Sequence, residues 1–498
     1  MDLALNEAAI PFDNSFAKLP DKFYRRVNPT EVKAPEIIRV NDELARFLNI
    51  DPDFLRSEAG LAILAGNAIP DGAEPIAMAY AGHQFGHFVP QLGDGRALLL
   101  GEVVAKDGSR HDIQLKGSGP TPFSRMGDGR AALGPVLREY VVSEAMASLG
   151  VPTTRALAAV TTGEPVFRSW AQPGAVFTRV ARSHIRVGTF QFFAAREDVE
   201  GVRALADYAI SRLYPEITED PNPYEALLNV VIQKQARLIS RWMGLGFIHG
   251  VMNTDNTAIA AETIDYGPCA FIDTYDPATV YSSVDHMGRY AFANQPTIGQ
   301  WNLAKFAQCL LPALDENADE ALARGQAAID AYPKQFETAL TQELGGKLGF
   351  AQPKVAHLEL AHDLLKRMAE NEADFTNTFN RLAPLLEADF NPERGPRLLF
   401  KSPERFDDWA WSWRDALDAE SQGASETLEI LQQANPVVIP RNHLVEEAIR
   451  AAEDDGDFSV FEMLLKVVCR PFDRSMLESR FAMPPKPDEV VHETFCGT

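Results

Sequence analysis

The sequence predicts an α+β chain of two lobes, a smaller sheet-containing one over residues 1–200 and a larger, mainly helical one over residues 201–498. Two observations carry that expectation. The first part mixes strand-like and helix-like segments with many glycines, whereas the remainder runs at helical periodicity with proline-containing joints. A length of 498 residues also allows two or three compact units, each around a sizeable core.

The elements follow in order. "RALLLGEVVA" and "RHDIQLKG" read as two strands rich in Leu, Val and Ile joined by the turn "KDGS", a hairpin. In "RAALGPVLREYVVSEAMASLG", residues Leu133, Val136, Leu137, Tyr140, Val141 and Ala145 fall at helical spacing, with Pro135 in the first turn and Gly150 as the stop. "AVFTRVA" is a further short strand. Next, "NPYEALLNVVIQKQARLISRWMGLG" has Asn222 as N-cap, Pro223 at the first helical position, a stripe from Leu228 to Trp242, and Gly244 or Gly246 at its end.

Composition narrows the function. With 46% apolar and 23% charged residues the chain reads as a folded globular protein. Its 47 Lys and Arg against 70 Asp and Glu leave a formal charge of −23, which repels phosphate backbones and anionic lipid, so neither nucleic acid nor membrane is expected as a main partner. The first twenty residues match neither a secretory signal nor a transit peptide, and no apolar run reaches membrane-spanning length; a cytoplasmic protein is the expectation, with a monomer as default. Cys269, Cys309, Cys469 and Cys496 contain no C-x-x-C pair and signal neither a zinc cage nor a disulfide framework. Cys496, third from the end, is expected to be an accessible thiol on the tail.

The residues with chemical potential come in an informative order. "QLGDGRALLLGE" offers Gly93 and Gly95, which let a backbone approach an anion, and Arg96; a plain hairpin turn also explains it. Lys116 ends the second strand, and Glu139 on the next helix is set to hold it, although each alone reads as a surface charge. A second Gly-Asp-Gly-Arg, containing Asp128 and Gly129, echoes the first. Arg179, Arg182 and Arg186, with His184, form a cluster suited to phosphate oxygens, with salt bridges to Asp or Glu as the alternative.

Residues 249–268, "HGVMNTDNTAIAAETIDYGP", begin like the H-R-D-x-x-x-x-N loop of a protein kinase but carry Val251 where the catalytic aspartate stands. Asn256 and Asp265 supply the amide oxygen and carboxylate that grip a divalent cation on a nucleotide, and Asp255 is the nearest carboxylate able to act as base. His83 and His87 have i, i+4 spacing, but Gly82 and Gly86 argue against a helix, so a structural or substrate-contact role is favoured over metal. Asp273 could extend the metal site, whereas Asp276 is explained by an Asp-Pro turn.

On "YAGHQFGHFVPQLGDGRALLLGE", "DIQLKGSGPTPFSRMGDGRAALGPVLREYVVSEAM", "HGVMNTDN", "IDYGP", "NQP" and the terminal "CGT", the chain resembles the selenoprotein O family over nearly its whole length. The resemblance implies a kinase-like fold in which ATP lies reversed. AMP would then pass to protein Ser, Thr or Tyr hydroxyls with release of pyrophosphate. It further implies that Lys116 pairs with Glu139, that Gly93, Gly95, Arg96, Asp128 and Gly129 line the nucleotide, and that Arg179 and Arg186 grip the far phosphates. Asn256 and Asp265 would hold Mg²⁺ or Mn²⁺, and Asp255 would take the proton. Animal members carry selenocysteine near the C-terminus where this chain has Cys496; no partner for a tail disulfide can be chosen among the other three cysteines. A γ-phosphoryl kinase using Asp255, and an inactive nucleotide-binding scaffold, are the competing expectations.

Overall fold

The structure is a computed structural model describing residues 9–168, 170–387 and 389–495; the Cys496 thiol lies outside the described residues. Its sheet region begins with β1 (Tyr24–Arg26), β2 (Ile37–Val40) and β3 (Ile76–Met78), and continues through the small hairpin β4 (Gly82–Gln84) and β5 (His87–Val89). The long strands β6 (Ala97–Val104) and β7 (Arg110–Lys116) follow, then β8 (Ala131–Ala132), β9 (Arg155–Phe167) and β10 (Ala171–Ala181). Among the described residues the main sheet runs β1-β3-β6-β7-β10-β9-β2, with β8 on β10, and every pairing is antiparallel.

The expected hairpin is β6–β7, registered from Ala97 opposite Lys116 to Val104 opposite Arg110. The strand expected over "AVFTRVA" starts earlier, at Ala171, and pairs along its length with β9, which sequence reasoning missed. Gly163 and Pro165 obscure the strand pattern of β9; both lie beyond the stretch 158–160 that β2 covers, where a missing N–H costs no ladder bond on that side.

The helices α1 (Asp42–Phe47), α2 (Pro52–Arg56) and α3 (Glu58–Ala65) pack on the sheet through an apolar cluster that includes Leu44, Leu55, Ile63, Leu98 and Val160. α4 (Leu133–Ser148) lies between the sheet and the later helix Asn442–Asp455. Its apolar residues Leu137, Tyr140 and Val141 share one core with Ala159 and Phe177 of the sheet and with Val445 and Ile449 of that helix. Buried on both sides, α4 must pair each of its charges. Arg138 turns to Glu446, Glu144 to Arg155, and Glu139 toward Lys116.

Beyond the sheet come α5 (Val187–Ala194), α6 (Val199–Leu213) and α7 (Pro223–Leu245), the two-residue strands β11 (Phe247–Ile248) and β12 (Ala270–Phe271), and α8 (Gln295–Leu314). Further helices fill residues 318–468. No described helix is long and apolar enough to cross a membrane.

α7 has the expected ends. The Asn222 side chain accepts from Glu225 N–H at 3.2 Å, Pro223 occupies the first turn, and Gly246 closes the helix at φ 70°, where a side chain would also collide with Phe375. Asn222 in addition donates to Leu314 O at 2.8 Å. Replacing Asn222 with Ala is therefore expected to lower stability by about 1–2 kcal/mol, measured by urea unfolding with an unchanged m-value. The same helix delivers the chain through β11 directly to residues 249–268.

Candidate active site

An open cleft of ≈ 890 Å³ lies at the junction of the main sheet with the loops around residues 251–267. Side chains alternate along a strand, so Gln114 and Lys116 share a face of β7, and Arg179 of β10 sits directly opposite Gln114. Lys116 Nζ donates to Glu139 Oε2 at 2.6 Å, and Arg179 Nε donates to Glu139 Oε1 at 2.8 Å. One helix carboxylate thus fixes two strand cations. Burial would raise the Glu139 carboxyl, but Arg179 and Lys116 outweigh it and hold the group below its usual value.

The same cations reach a second carboxylate. Asp265 Oδ1 accepts from Arg179 Nη2 at 2.6 Å and lies 3.5 Å from Lys116 Nζ, while Oδ2 accepts from Arg186 Nη1 at 3.1 Å. Burial opposes its ionisation; Arg179, Arg186 and Lys116 more than reverse this and hold the carboxyl well below the usual range. Arg186, the residue before α5, also donates to Asp255 O at 2.7 Å and lies 4.8 Å over the Tyr80 ring.

Asp255 occupies the single turn Thr254–Asn256. Its Oδ2 accepts from Gln84 Nε2 at 3.0 Å and its Oδ1 has no partner among the described residues. Burial pushes its pKa up to about 6, against the opposing effects of the Gln84 hydrogen bond and the Arg186 charge. Next to it, Asn256 donates its amide N–H to Val251 O at 3.0 Å and lines the cleft. His249 ties the stretch together: Nε2 donates to Ile264 O at 2.9 Å and Nδ1 accepts from Val251 N–H. Val251 itself is buried and borders the cleft.

Both Gly-Asp-Gly-Arg turns border the same cleft, bringing Gly93, Gly95, Arg96, Asp128 and Gly129 to its wall. Thr121 Oγ1 donates to Asp94 O at 2.6 Å, linking one turn to the segment that leads into the other. At Gly129 φ is 65° and a Cβ would meet the Gly119 backbone at 2.1 Å, so only glycine fits. Asp128 accepts from Arg168 Nη1 at 2.9 Å at the tip of the β9–β10 hairpin.

Not every candidate joins the cleft. His184 Nδ1 and Arg212 Nη2 share the Asp112 carboxylate, at 2.9 Å and 2.5 Å, and neither Arg182 nor His184 lines the cleft. Asp273 pairs with Arg441, which also holds Asp374, and is committed to joining helices, not to extending the candidate metal pair. Asp276 accepts from Ala278 N–H, the expected turn. His83 and His87 stand on β4 and β5, His83 Nδ1 bonds Gln191 Nε2 at 2.8 Å, and no group of three His, Cys, Asp or Glu suited to a metal occurs among the described residues. Gln84 and Tyr80, which touch Asp255 and Arg186, escaped sequence reasoning; the glycine density of "AGHQFGHF" was the available signal.

A cleft in which two glycine turns face three clustered cations and two carboxylates has the donors and charges that suit a polyphosphate, the class of ligand on which group-transfer enzymes act. The chain belongs to the SelO family of protein adenylyltransferases, whose family model, described as protein adenylyltransferase SelO, matches residues 7–469. It is 59% identical over 496 residues to a protein nucleotidyltransferase YdiU of Methylorubrum extorquens, covering 99% of this chain and all of that one. It is likewise 59% identical over 490 residues to the protein of the same description from Rhodopseudomonas palustris (strain BisB5), covering 98% and 99% of the two chains. The enzyme is accordingly a nucleotidyltransferase acting on proteins, with ATP as the nucleotide substrate.

Proposed function

We propose that the enzyme moves AMP from ATP to Ser, Thr or Tyr hydroxyls of proteins in a kinase-like, two-lobed frame, residues 1–200 forming the smaller lobe and 201–498 the larger. The observation that carries this reading is the Asp265 carboxylate gripped by Lys116, Arg179 and Arg186, with Arg186 also donating to the backbone carbonyl of the buried Asp255. ATP enters reversed, with its γ-phosphate toward these cations and its α-phosphate toward Asp255. The wall formed by Gly93, Gly95, Arg96, Asp128 and Gly129 receives the remainder of the nucleotide.

The reaction balances within this set. The substrate hydroxyl oxygen bonds to the α-phosphorus, its proton passes to Asp255, and the bond between the α-phosphorus and its bridging oxygen breaks to release pyrophosphate. Negative charge grows on the leaving group, and Lys116, Arg179 and Arg186 stabilise it. Glu139 holds Lys116 and Arg179 in place throughout.

Asn256 and Asp265 fit a divalent cation: the Asn256 amide N–H is spent on Val251 O, which leaves Oδ1 as the donor, and two protein oxygens with phosphate and water complete the oxygen set that Mg²⁺ favours. Bound there, Mg²⁺ or Mn²⁺ would polarise phosphate oxygens and offset their charge. A monomer in the cytoplasm, with proteins rather than nucleic acid or membrane as partners, completes the reading.

Label placement tests it. With ATP labelled at the α or the γ position, label is expected to enter protein from α only. Transfer from γ would replace this reading with a phosphoryl kinase, and transfer from neither would leave a nucleotide-binding scaffold.

A further inference from the structure

The β4–β5 hairpin is pinned to the loop that carries Asp255. His83 N–H donates to Thr254 Oγ1 at 2.7 Å, Phe85 N–H to Asn253 Oδ1 at 3.1 Å, and Gln84 Nε2 to Asp255 at 3.0 Å. Gln84 and Phe85 line the cleft, as do Ser283 and Val284 of the segment leading into α8. Outward from that mouth lies a surface of different character. The Arg289 guanidinium carbon is 4.8 Å from the Trp301 ring centroid, Lys305 Nζ is 5.1 Å from it, and the His83 ring meets it edge-on at 5.1 Å. The side chains of Phe88, Met287 and His87 are exposed alongside.

The charge state of this surface is the unusual part. The buried cations Arg179, Arg186, Arg212 and Arg441 each have a carboxylate partner. Arg289 and Lys305 have none among the described residues: Lys305 reaches only the Gln308 amide oxygen, at 3.2 Å, and Arg289 Nε is buried without an acceptor. Asp285, the nearest acid in sequence to Arg289, spends its carboxylate on the backbone N–H groups of Arg289 and Tyr290. Burial holds the His83 imidazole below its usual range, against the Gln191 hydrogen bond, and the nearby Lys305 and Arg289 charges lower it further, so it does not add a third positive charge. A chain of formal charge −23 therefore presents, on one indole, two cations that have no carboxylate partner among the described residues, beside the mouth at which a hydroxyl enters in the proposed reaction.

We propose that Arg289, Lys305 and Trp301 form a docking platform for acidic side chains that flank the target hydroxyl in protein substrates. Carboxylates of the substrate pair with the two cations, while its apolar groups cover Phe88 and Met287. The platform rests on the placement of Asp255 as the base, because that placement sets the side from which the hydroxyl approaches. Long-range repulsion by the acidic chain works against any acidic peptide, so a preference for one has to arise locally.

The test uses the full chain and fluorescein-labelled nonapeptides with a central Tyr flanked by Glu, Gln or Lys. Anisotropy without nucleotide is expected to give the Glu peptide about tenfold tighter binding than the Gln peptide, an advantage that shrinks with added salt. The Arg289→Gln/Lys305→Gln variant should remove the preference, and the Arg289→Glu/Lys305→Glu variant should invert it toward Lys. In α-label transfer the Glu peptide should show a lower KM at unchanged kcat, and both variants should retain the wild-type kcat on the Gln peptide. Equal affinity of the wild type for Glu and Gln peptides, or a preference that survives in both variants, overturns the platform. Binding involves no proton transfer, so a Glu preference that persists in Asp255→Asn while transfer also persists supports the platform and removes Asp255 as the base.

Discussion

Replacing Asp265 with Ala is expected to lower adenylyl transfer by about 10³-fold or more, because the substitution removes the carboxylate proposed for the metal and frees the cations meant for the phosphates. A second effect separates this from a simple loss of a ligand. Lys116, Arg179 and Arg186 all lean on Asp265, with Glu139 as the other carboxylate shared by the first two. Stranding them costs about 1–3 kcal/mol, less than for a sealed site because the cleft admits water. Metal-free ATP should then raise the melting temperature of Asp265→Ala more than that of the wild type, since triphosphate oxygens replace the lost carboxylate. Full transfer activity, or an equal thermal response to ATP, would exclude the proposed role. The Asp265 carboxyl is held low in the fold, so its contribution to stability is present above about pH 4 and is lost only as the pH falls through its depressed folded value.

Asp255→Asn is expected to reduce kcat by about 10²–10⁴-fold while leaving the KM for ATP nearly unchanged, the signature of a lost general base. For the wild type, kcat/KM should fall as the pH drops below about 6, where the carboxyl takes up its proton, and the variant's residual activity should lack that limb. The stability change has the opposite sign. A carboxyl raised from near 4 in the unfolded chain to about 6 in the fold favours the native state fully below pH 4, and that contribution disappears as the pH rises through 6. At pH 7–8 the metal-free Asn variant should accordingly be more stable than the wild type by about 1–3 kcal/mol in urea titrations. An equally stable variant with an unchanged pH profile would remove Asp255 from the chemistry.

Much of this site was legible before folding because its parts sit at recognisable spacings. Lys116 ends a strand whose Leu and Ile pattern is plain, and Glu139 lies on a helix whose apolar face can be counted from the sequence. What could not be read was the full set of charges that converge. Of Arg138, Glu139 and Glu144 the sequence marks Glu139 as the one turned toward Lys116, but only the burial of α4 on both sides sends Arg138 to Glu446 and Glu144 to Arg155. Arg182 and His184 likewise looked like companions of Arg179 and Arg186, yet His184 is held by Asp112 outside the cleft. Gln84 escaped because its contact with Asp255 spans 171 residues of chain, and no local pattern records a pairing that distant.

The sequence by itself determined the mixed composition of the fold, the β6–β7 hairpin, α4 and α7 with their ends, and the family, since each rests on local periodicity, capping residues or ordered motifs. Tertiary structure alone decided that one carboxylate, Asp265, would collect three cations from β7, β10 and the start of α5. It also decided that Asp255 would be buried and that Arg289 and Lys305 would meet on Trp301; among the described residues, one Asp255 oxygen has no partner and neither cation has an acid. The physical reason is the same in each case. Burial and Coulomb interaction depend on distances across the fold, and those are set by how sheet and helices pack, not by neighbours along the chain.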